Sequence, residues 1–546
     1  MSEASAPPPL GRSIASAAVV IGAGVITSRI LGLVREQVIA ALFGSTGPTS
    51  AFRTATRITT GFYDLLLSGA TTSALVPVFS DYAGSGRSDD LSRVASTFVN
   101  LTVVALGLIV GLLVLGAPIA VGALGADPAQ FELTVGLTRI ALPSVLLLGT
   151  SSILTAVLYA RRSFTLPALA PAVYNAGIIV AAVALALPFG IYGLAVGLTA
   201  GAMLQILIQL PAWRGLRYVP VIDLGHPGVR LVLRLYAPVF MGLIASYGVV
   251  MLDTNLAWRT GPESVADMAF ATTLIQFPIG LVGAAASLAI LPSLSLLASS
   301  DSASEREAFV PTLVQGLKMV LLLIIPVSAA LVVLREPVVA LLFQRLAFDA
   351  EATRRTALAL LAYSPQLPFV VVDQLLIVAF YALKETRTPV LVGLAGAGVY
   401  VVVALALIAP LGMPGLALAN AVQNSAHAIV LFWLLSRRYP GLADLALGRF
   451  VARVALSGAV TSAGIWICAG GLAALLEDPS AGARLTGLVL ASGAGVGIYG
   501  ACLFVLRVRE TGQIIGLLRP RREKPANSPP PQPFPVKGEG EDEPPT

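Results

Sequence analysis

Four arginines and one carboxylate stand where ionised side chains are rare. Arg29 and Arg35 interrupt the first long apolar stretch, Arg53 and Arg57 the second, and Asp253 the seventh. Inserting an arginine at the centre of a membrane helix costs about 2.5–3.5 kcal/mol, so four of them are expected to face a polar interior rather than lipid. Guanidinium groups are planar forks that pair bidentately with phosphate oxygens. A cluster of them lining a cavity therefore suits a polyanion. The alternative is that Arg35 and Arg53 snorkel to the outer headgroups. Asp253 reads as an arginine partner, a cation ligand or a structural hydrogen-bonded carboxylate.

Helix geometry orders these residues by depth. From a helix start near residue 14, a rise of about 1.5 Å per residue puts Arg29 roughly 22 Å in and Arg35 roughly 32 Å in. The second helix returns from the far side, which places Arg53 and Arg57 roughly 3–9 Å below its start and, at i and i+4, on one face. Arg29 lies deepest and has least access to headgroup phosphates. Arg29→Ala is thus expected to abolish function, and Arg53→Ala to do much less.

The elements that must position these charges follow from composition. Of 546 residues, 56% are hydrophobic and 12% charged, against about 45–50% and about 25% in soluble domains. Apolar stretches near the roughly 20 residues of a bilayer crossing follow one another to residue 510. The fold expected is an all-α integral membrane protein of about fourteen spans. Its parts are a cytoplasmic tail (1–13), a six-helix N-lobe (14–213), an interlobe connector (214–233), a six-helix C-lobe (234–438), two extra helices (448–507) and a disordered tail (519–546). The first apolar run is too long for a signal peptide. Alternate connections are rich in Arg and Lys, which places both termini in the cytoplasm. The connection from 335 to 355 breaks that pattern with Arg335, Arg345, Arg354 and Arg355.

The two lobes repeat one another. VALALPFGIYGLAVGL at 183–198 matches VALALIAPLGMPGLAL at 403–418, and GATTSALVPVFS ending at Ser80 resembles GAAASLAILPSLS ending at Ser295. Six helices separate the copies, so both share one orientation, and parallel repeats of this kind are a transporter architecture with substrate handled at the repeat interface.

Other chemistries find little footing. IGAGVIT at 21–27 and GAGVY at 396–400 lack the third glycine and the strand of a dinucleotide site. Cys468 and Cys502 have no nearby ligand partners, which argues against zinc and a disulfide framework. His226 and His427 read as packing residues. No paired carboxylates or nucleophile and base suggest an enzyme. The net charge of +6 is dispersed among connections, so nucleic acid is not an expected partner.

SRILGLVREQVIAALFG at 28–44 resembles the first-helix signature of the MurJ (MviN) family, lipid II flippases of peptidoglycan synthesis in the MATE-like (MOP) exporter superfamily. SALVPVFSDY (73–82), FTLPALAPAVYNAGII (164–179), HPGVRLVLRLYAP (226–238), FPIGLVG (277–283), LPSLS (291–295) and FYALKETRTPV (380–390) continue it in order. The resemblance implies two six-helix lobes and two added helices that form a groove for a lipid tail. It also implies alternating access, a place in the bacterial cell membrane, and as partners a lipid-linked anionic glycan, the bilayer and the cell-wall synthesis machinery. Arg29 and Arg35 match arginines of that family's cationic cavity, and Arg57 a frequently basic position.

Four residues depart from the pattern. Ser50 stands for an acidic residue, Tyr63 for a further arginine, and Thr272 and Thr273 for an Asp-Arg pair whose arginine contacts pyrophosphate. A neutral hydrogen bond from Thr is about half as strong as a charge-assisted one. Asp253 matches a sodium ligand in some members, but the eleventh-helix ligands are here Tyr400 and Ala404. No cofactor is expected, and coupling to membrane potential, protons or sodium stays open. Alternatives to lipid II are another lipid-linked oligosaccharide or amphiphile, or a non-transporting membrane scaffold.

Overall fold

A computed structural model describes residues 10–64, 74–85, 87–299, 302, 307–443, 445–475 and 481–512. The tail expected over 519–546 and most of that expected over 1–13 lie outside them. Among the described residues there is helix and no strand. That follows from the solvent, since a helix satisfies its backbone polar groups within one segment.

The N-lobe comprises α1 (Leu10–Phe43), α2 (Gly47–Tyr63), α3 (Val76–Gly84), α4 (Ser88–Leu115), α5 (Ala117–Ala123), α6 (Phe131–Ala141), α7 (Pro143–Ala160), α8 (Thr165–Phe189) and α9 (Tyr192–Gln209). The C-lobe comprises α10 (Pro227–Trp258), α11 (Ser264–Ser299), α12 (Phe309–Val333), α13 (Arg335–Phe343), α14 (Ala350–Tyr363), α15 (Leu367–Ala382), α16 (Arg387–Leu411) and α17 (Met413–Arg438). The two extra helices are α18 (Leu445–Leu475) and α19 (Ala481–Val505). Pairs such as α6 and α7, or α14 and α15, form single passes broken near a proline, and the described helices group into about fourteen passes. Eleven described segments are long and apolar enough to span a bilayer. The three that complete the count, α1, α2 and α10, carry all five charges singled out above.

Backbone detail fixes the register of the repeat at 222 residues. Pro143 opens α7, and Pro365 stands in the 3-10 turn Ser364–Gln366 before α15. Arg162 (φ 57°) and Lys384 (φ 60°) terminate their helices in the left-handed region. Each is bracketed by the same bonds, Ser163 N to Leu158 O at 2.8 Å and Glu385 N to Phe380 O at 2.9 Å, a capping arrangement that ordinarily calls for glycine. Pro188, Gly190 and Gly193 likewise answer Pro410, Gly412 and Gly415. The match drawn from sequence was 220 residues at its start, because runs of Val, Ala and Leu slide without penalty whereas the turn does not.

The connector lies along α4. Ser92, Ser96 and Thr97 accept bonds from the backbone of Arg217, Val219 and Asp223, and Asn100 donates to the carbonyls of Val219 and Val221. Helix α10 starts at Pro227, capped by His226, within the stretch 214–233 expected to be connector.

One set of close contacts between the lobes lies at the end of the bundle opposite the connector. Ala347 N donates to Ala41 O at 3.1 Å. Gly44, at φ +65°, lets the chain pass so close to Ala347 that an added Cβ would sit 2.3 Å from its carbonyl oxygen. Phe270, Phe343 and Phe348 pack ring to ring behind this contact, with centroids 5.1–5.8 Å apart. Towards the other end α1 and α11 diverge, leaving Ile26, Ile30, Phe277 and Leu281 exposed.

Candidate functional site

The space between the diverging helices is a cavity of about 570 Å³. Arg29, Gly32, Leu33, Arg35 and Glu36 of α1 form one wall, and Thr273, Gln276, Phe277 and Leu281 of α11 face them. Val327, Leu331, Val338 and Leu342 complete an apolar side. Arg29 is exposed to this space, and its recorded hydrogen bond is a long 3.4 Å contact from Nη1 to the Gln276 carbonyl. It lies flat on Gly280, where a Cβ would come within 2.2 Å of the guanidinium. The glycine of FPIGLVG thus gives Arg29 its place against the opposite lobe.

Arg35 and Arg53 meet at a residue that the sequence reading passed over. Glu36, 2% exposed, accepts from Arg35 Nη2 at 2.8 Å and from Arg53 Nη1 at 3.2 Å, and pairs again with Arg53 Nη2. Asn175 Oδ1 takes the third Arg35 bond at 3.0 Å. The Arg53 guanidinium lies 5.1 Å over the Phe270 ring, a cation-π contact that the buried setting strengthens. Neither arginine turns to headgroups. Arg35 lines the cavity, and Arg53 is buried behind it.

Arg57 faces the other lobe lower down. Its Nη1 donates to Thr254 Oγ1 at 2.6 Å and to Asp253 Oδ2 at 3.4 Å, while Tyr400 donates to Asp253 Oδ1 at 2.6 Å. Of the three readings of Asp253, this geometry matches the arginine partner. Donors from α2 and α16 already take its two oxygens.

The departures from the family pattern have local partners. Ser50 Oγ accepts from Ala266 N at 3.1 Å, capping the start of α11 from across the interface. The Tyr63 hydroxyl shares a 2.9 Å bond with Ser152. Thr272 and Thr273 donate to carbonyls one turn back in their own helix, at 2.9 and 3.0 Å. Thr273 therefore offers the cavity lone pairs rather than a donor, and Gln276 is the polar residue beside it.

The closed end has its own ion pair. Asp267, 1% exposed, accepts from Ser45 Oγ at 2.6 Å, Arg355 Nε at 2.9 Å and Thr356 Oγ1 at 3.2 Å. Arg355 also reaches the Ser45 carbonyl at 3.1 Å. This accounts for the basic connection from 335 to 355. Arg355 is neutralised by Asp267 within the C-lobe and reaches the N-lobe only at the Ser45 carbonyl, Arg354 pairs with Glu351, and Arg335 and Arg345 cap carbonyls. Removing Asp267 deletes the acceptor shared by Ser45 of the N-lobe and Arg355 of the C-lobe. Asp267→Ala is thus expected to open this end. With Cys468 and Cys502 replaced by Ser, a cysteine at Ser50 should label about tenfold faster with a thiol reagent supplied on both membrane faces. An unchanged rate would show that Asp267 does not hold the lobes together.

Glu36, Asn175, Asp267 and Arg355 were not singled out from sequence as site residues. Glu36 sits inside the motif at 28–44, and a count of charge balance among buried residues would have found it. Asp267 was signalled only by being acidic in the first turn of α11.

The profile described as "Lipid II flippase MurJ" matches residues 39–474. The Burkholderia cenocepacia protein described as lipid II flippase MurJ is 32% identical over 428 residues, 76% of this chain and 82% of its own. A probable lipid II flippase MurJ of Vibrio cholerae is 30% identical over 522 residues, 92% of this chain and 97% of that one. Among solved structures, a lipid II flippase MurJ in an inward closed conformation superposes with a TM-score of 0.75 at 20% identity, covering 91% of this chain and 100% of the other. An inward-facing multidrug resistance MATE family transporter of the MOP superfamily gives 0.67 at 16% identity, covering 76% and 95%. Sequence and fold agree along the same stretch, and the chain belongs to the MurJ family of lipid II flippases.

Proposed function

We propose that this protein moves lipid II, an undecaprenyl-pyrophosphate-linked glycan, from the cytoplasmic to the outer leaflet of the bacterial inner membrane. The observation that carries the reading is Arg29, exposed in a cavity whose other walls are largely apolar. Arg29, Arg35 and Arg53 against Glu36 leave the region two positive charges in excess, a match for a diphosphate. The pyrophosphate docks on the open fork of Arg29. Arg35, already held by Glu36 and Asn175, adds charge from a fixed position, and preorganised charge costs no rearrangement on binding.

A second space suits the tail. An apolar groove of about 860 Å³ runs between α12, α15 and α17 on one side and α18 on the other, lined by Leu321, Ile325, Phe369, Phe432 and Val451. In this reading both termini are cytoplasmic, the closed end at Asp267 faces outward, and the conformation is open to the inner leaflet. Loading the cavity and breaking the bonds from Ser45 to Asp267 and Arg355 rock the lobes, and no covalent chemistry is involved.

The test is growth. In cells depleted of their only lipid II flippase, the protein should restore colony formation at normal membrane level. Lysis despite normal level would count against lipid II and favour another lipid-linked glycan, the alternative that Thr273 supports.

A further inference from the structure

The C-lobe holds a further, partly buried charge pair that the cavity does not use. His427, in α17, sets Nδ1 2.7 Å from Asp373 Oδ1 on α15 and Nε2 3.2 Å from the Pro389 carbonyl on α16. Both partners are acceptors. A neutral imidazole has one N–H and one lone pair, so in either tautomer one nitrogen would face an oxygen lone pair. Both contacts are satisfied together when the ring is doubly protonated. The side chains are 13% and 19% exposed.

We propose that His427 and Asp373 form a proton-binding site in the C-lobe, and that its occupancy biases the conformational equilibrium of the transport cycle. The second half of this rests on the transport reading above.

Among the described residues, Asp373 is the charged partner of His427. From α16 it meets the Pro389 carbonyl and Gly393, whose added Cβ would lie 3.6 Å from Nε2, and Arg387 at the start of that helix is exposed. On α17 itself, Arg438 pairs with Glu385 and Arg437 lies 4.1 Å over the Trp433 ring. On α14, Arg354 and Arg355 engage Glu351 and Asp267. Asp253 of α10 is held by Arg57 and Tyr400, and Lys318 of α12 by Glu510.

The same helix face connects the pair to the closed end. Asn420, Gln423, Asn424 and His427 follow helical spacing along α17. Asn424 donates to Gln366 Oε1 at 2.6 Å, and Gln366 closes the 3-10 turn Ser364–Gln366 that separates α14 from α15. A 3-10 stretch within a helical pass is a common hinge. One arm of this rod carries Arg355 and Thr356, which hold Asp267, and the other carries Asp373. Loss of the proton takes the positive charge from the His427–Asp373 pair and leaves a lone pair facing an oxygen at one of the two contacts, which weakens the tie between α15 and α17 and moves the hinge. By linkage, the conformation that binds the proton more tightly gains population as pH falls.

The chain has two histidines, so His226→Gln leaves His427 as the sole imidazole in the full-length protein in nanodiscs. Side-chain ¹⁵N spectra at about pH 8, where an exposed imidazole is neutral, should show a doubly protonated ring. Adding Asp373→Asn should convert it to a neutral one. A neutral ring at that pH with Asp373 intact overturns the site. In proteoliposomes with equal pH on both sides, the initial rate of lipid II movement should change about tenfold between about pH 6 and pH 9. His427→Gln and Asp373→Asn should flatten that to less than about twofold. One shared pH profile for all three proteins overturns the coupling and leaves the transport reading standing. If none moves lipid II, the transport reading falls and takes the coupling with it, while the spectra still decide the proton site.

Discussion

Arg29→Ala abolishes complementation while leaving membrane insertion and protein level unchanged. This is the expected result because Arg29 has the open fork in the cavity, with a single long contact to the Gln276 carbonyl, so its removal leaves no unpaired partner behind. Losing a charge-assisted bidentate contact to a diphosphate in a space partly shielded from water forfeits about 2–5 kcal/mol, a rate loss of about thirtyfold or more. Arg29→Lys keeps the charge but not the fork and should recover part of the activity. Gly280→Leu offers an independent route to the same defect, since a side chain there displaces the guanidinium. Colony counts under depletion, normalised to membrane-inserted protein, check all three. Full activity of Arg29→Ala would remove the cavity's main binding group from the account.

Glu36→Ala should damage the fold instead. Its carboxylate lies between two guanidiniums, one of them buried. Without it, Arg35 and Arg53 repel each other at short range, and the buried Arg53 is left without its carboxylate. Breaking such a pair by removing one partner costs about 3–5 kcal/mol, a large share of the about 5–15 kcal/mol that holds a typical domain. The expected outcome is a severe loss of folded protein, read as the monodisperse fraction in detergent and as a lowered thermal midpoint. Combining Glu36→Gln with Arg53→Met should recover much of that loss, because the double change leaves no uncompensated charge at the Phe270 face. Wild-type yield and midpoint for Glu36→Ala would show that the two arginines are solvated in the native protein. By the same reasoning, Arg53→Ala is no mild change. It leaves Glu36 with Arg35 as its remaining cation, so depth along α2 underestimates its effect.

The fourteen passes and the two lobes were legible because a bilayer imposes a length on every crossing and because turns at one offset repeat. Arg29 was legible for the same reason, since an arginine that far from either interface must meet something polar. Depth along a single helix says nothing of what the opposing lobe supplies. Arg53 was placed near water and lipid, yet α11 brings Phe270 over it and α1 brings Glu36 to it. Nor does hydropathy show where a pass breaks. The 3-10 turn at Ser364–Gln366 sits inside an apolar span, marked in the sequence by one proline among many. His427 was read as a packing residue because its partners, Asp373 and the Pro389 carbonyl, lie 54 and 38 positions away in sequence.

The central claim is that this protein carries a pyrophosphate-linked lipid across the bilayer by way of Arg29. Its most direct test is transbilayer movement of fluorescently labelled lipid II in proteoliposomes, followed by the fraction accessible to a membrane-impermeant quencher. Wild-type protein should move the label well above the rate in empty liposomes, and Arg29→Ala, incorporated at the same density, should not. Movement no faster than in empty liposomes, or equal movement by both proteins, would contradict the claim.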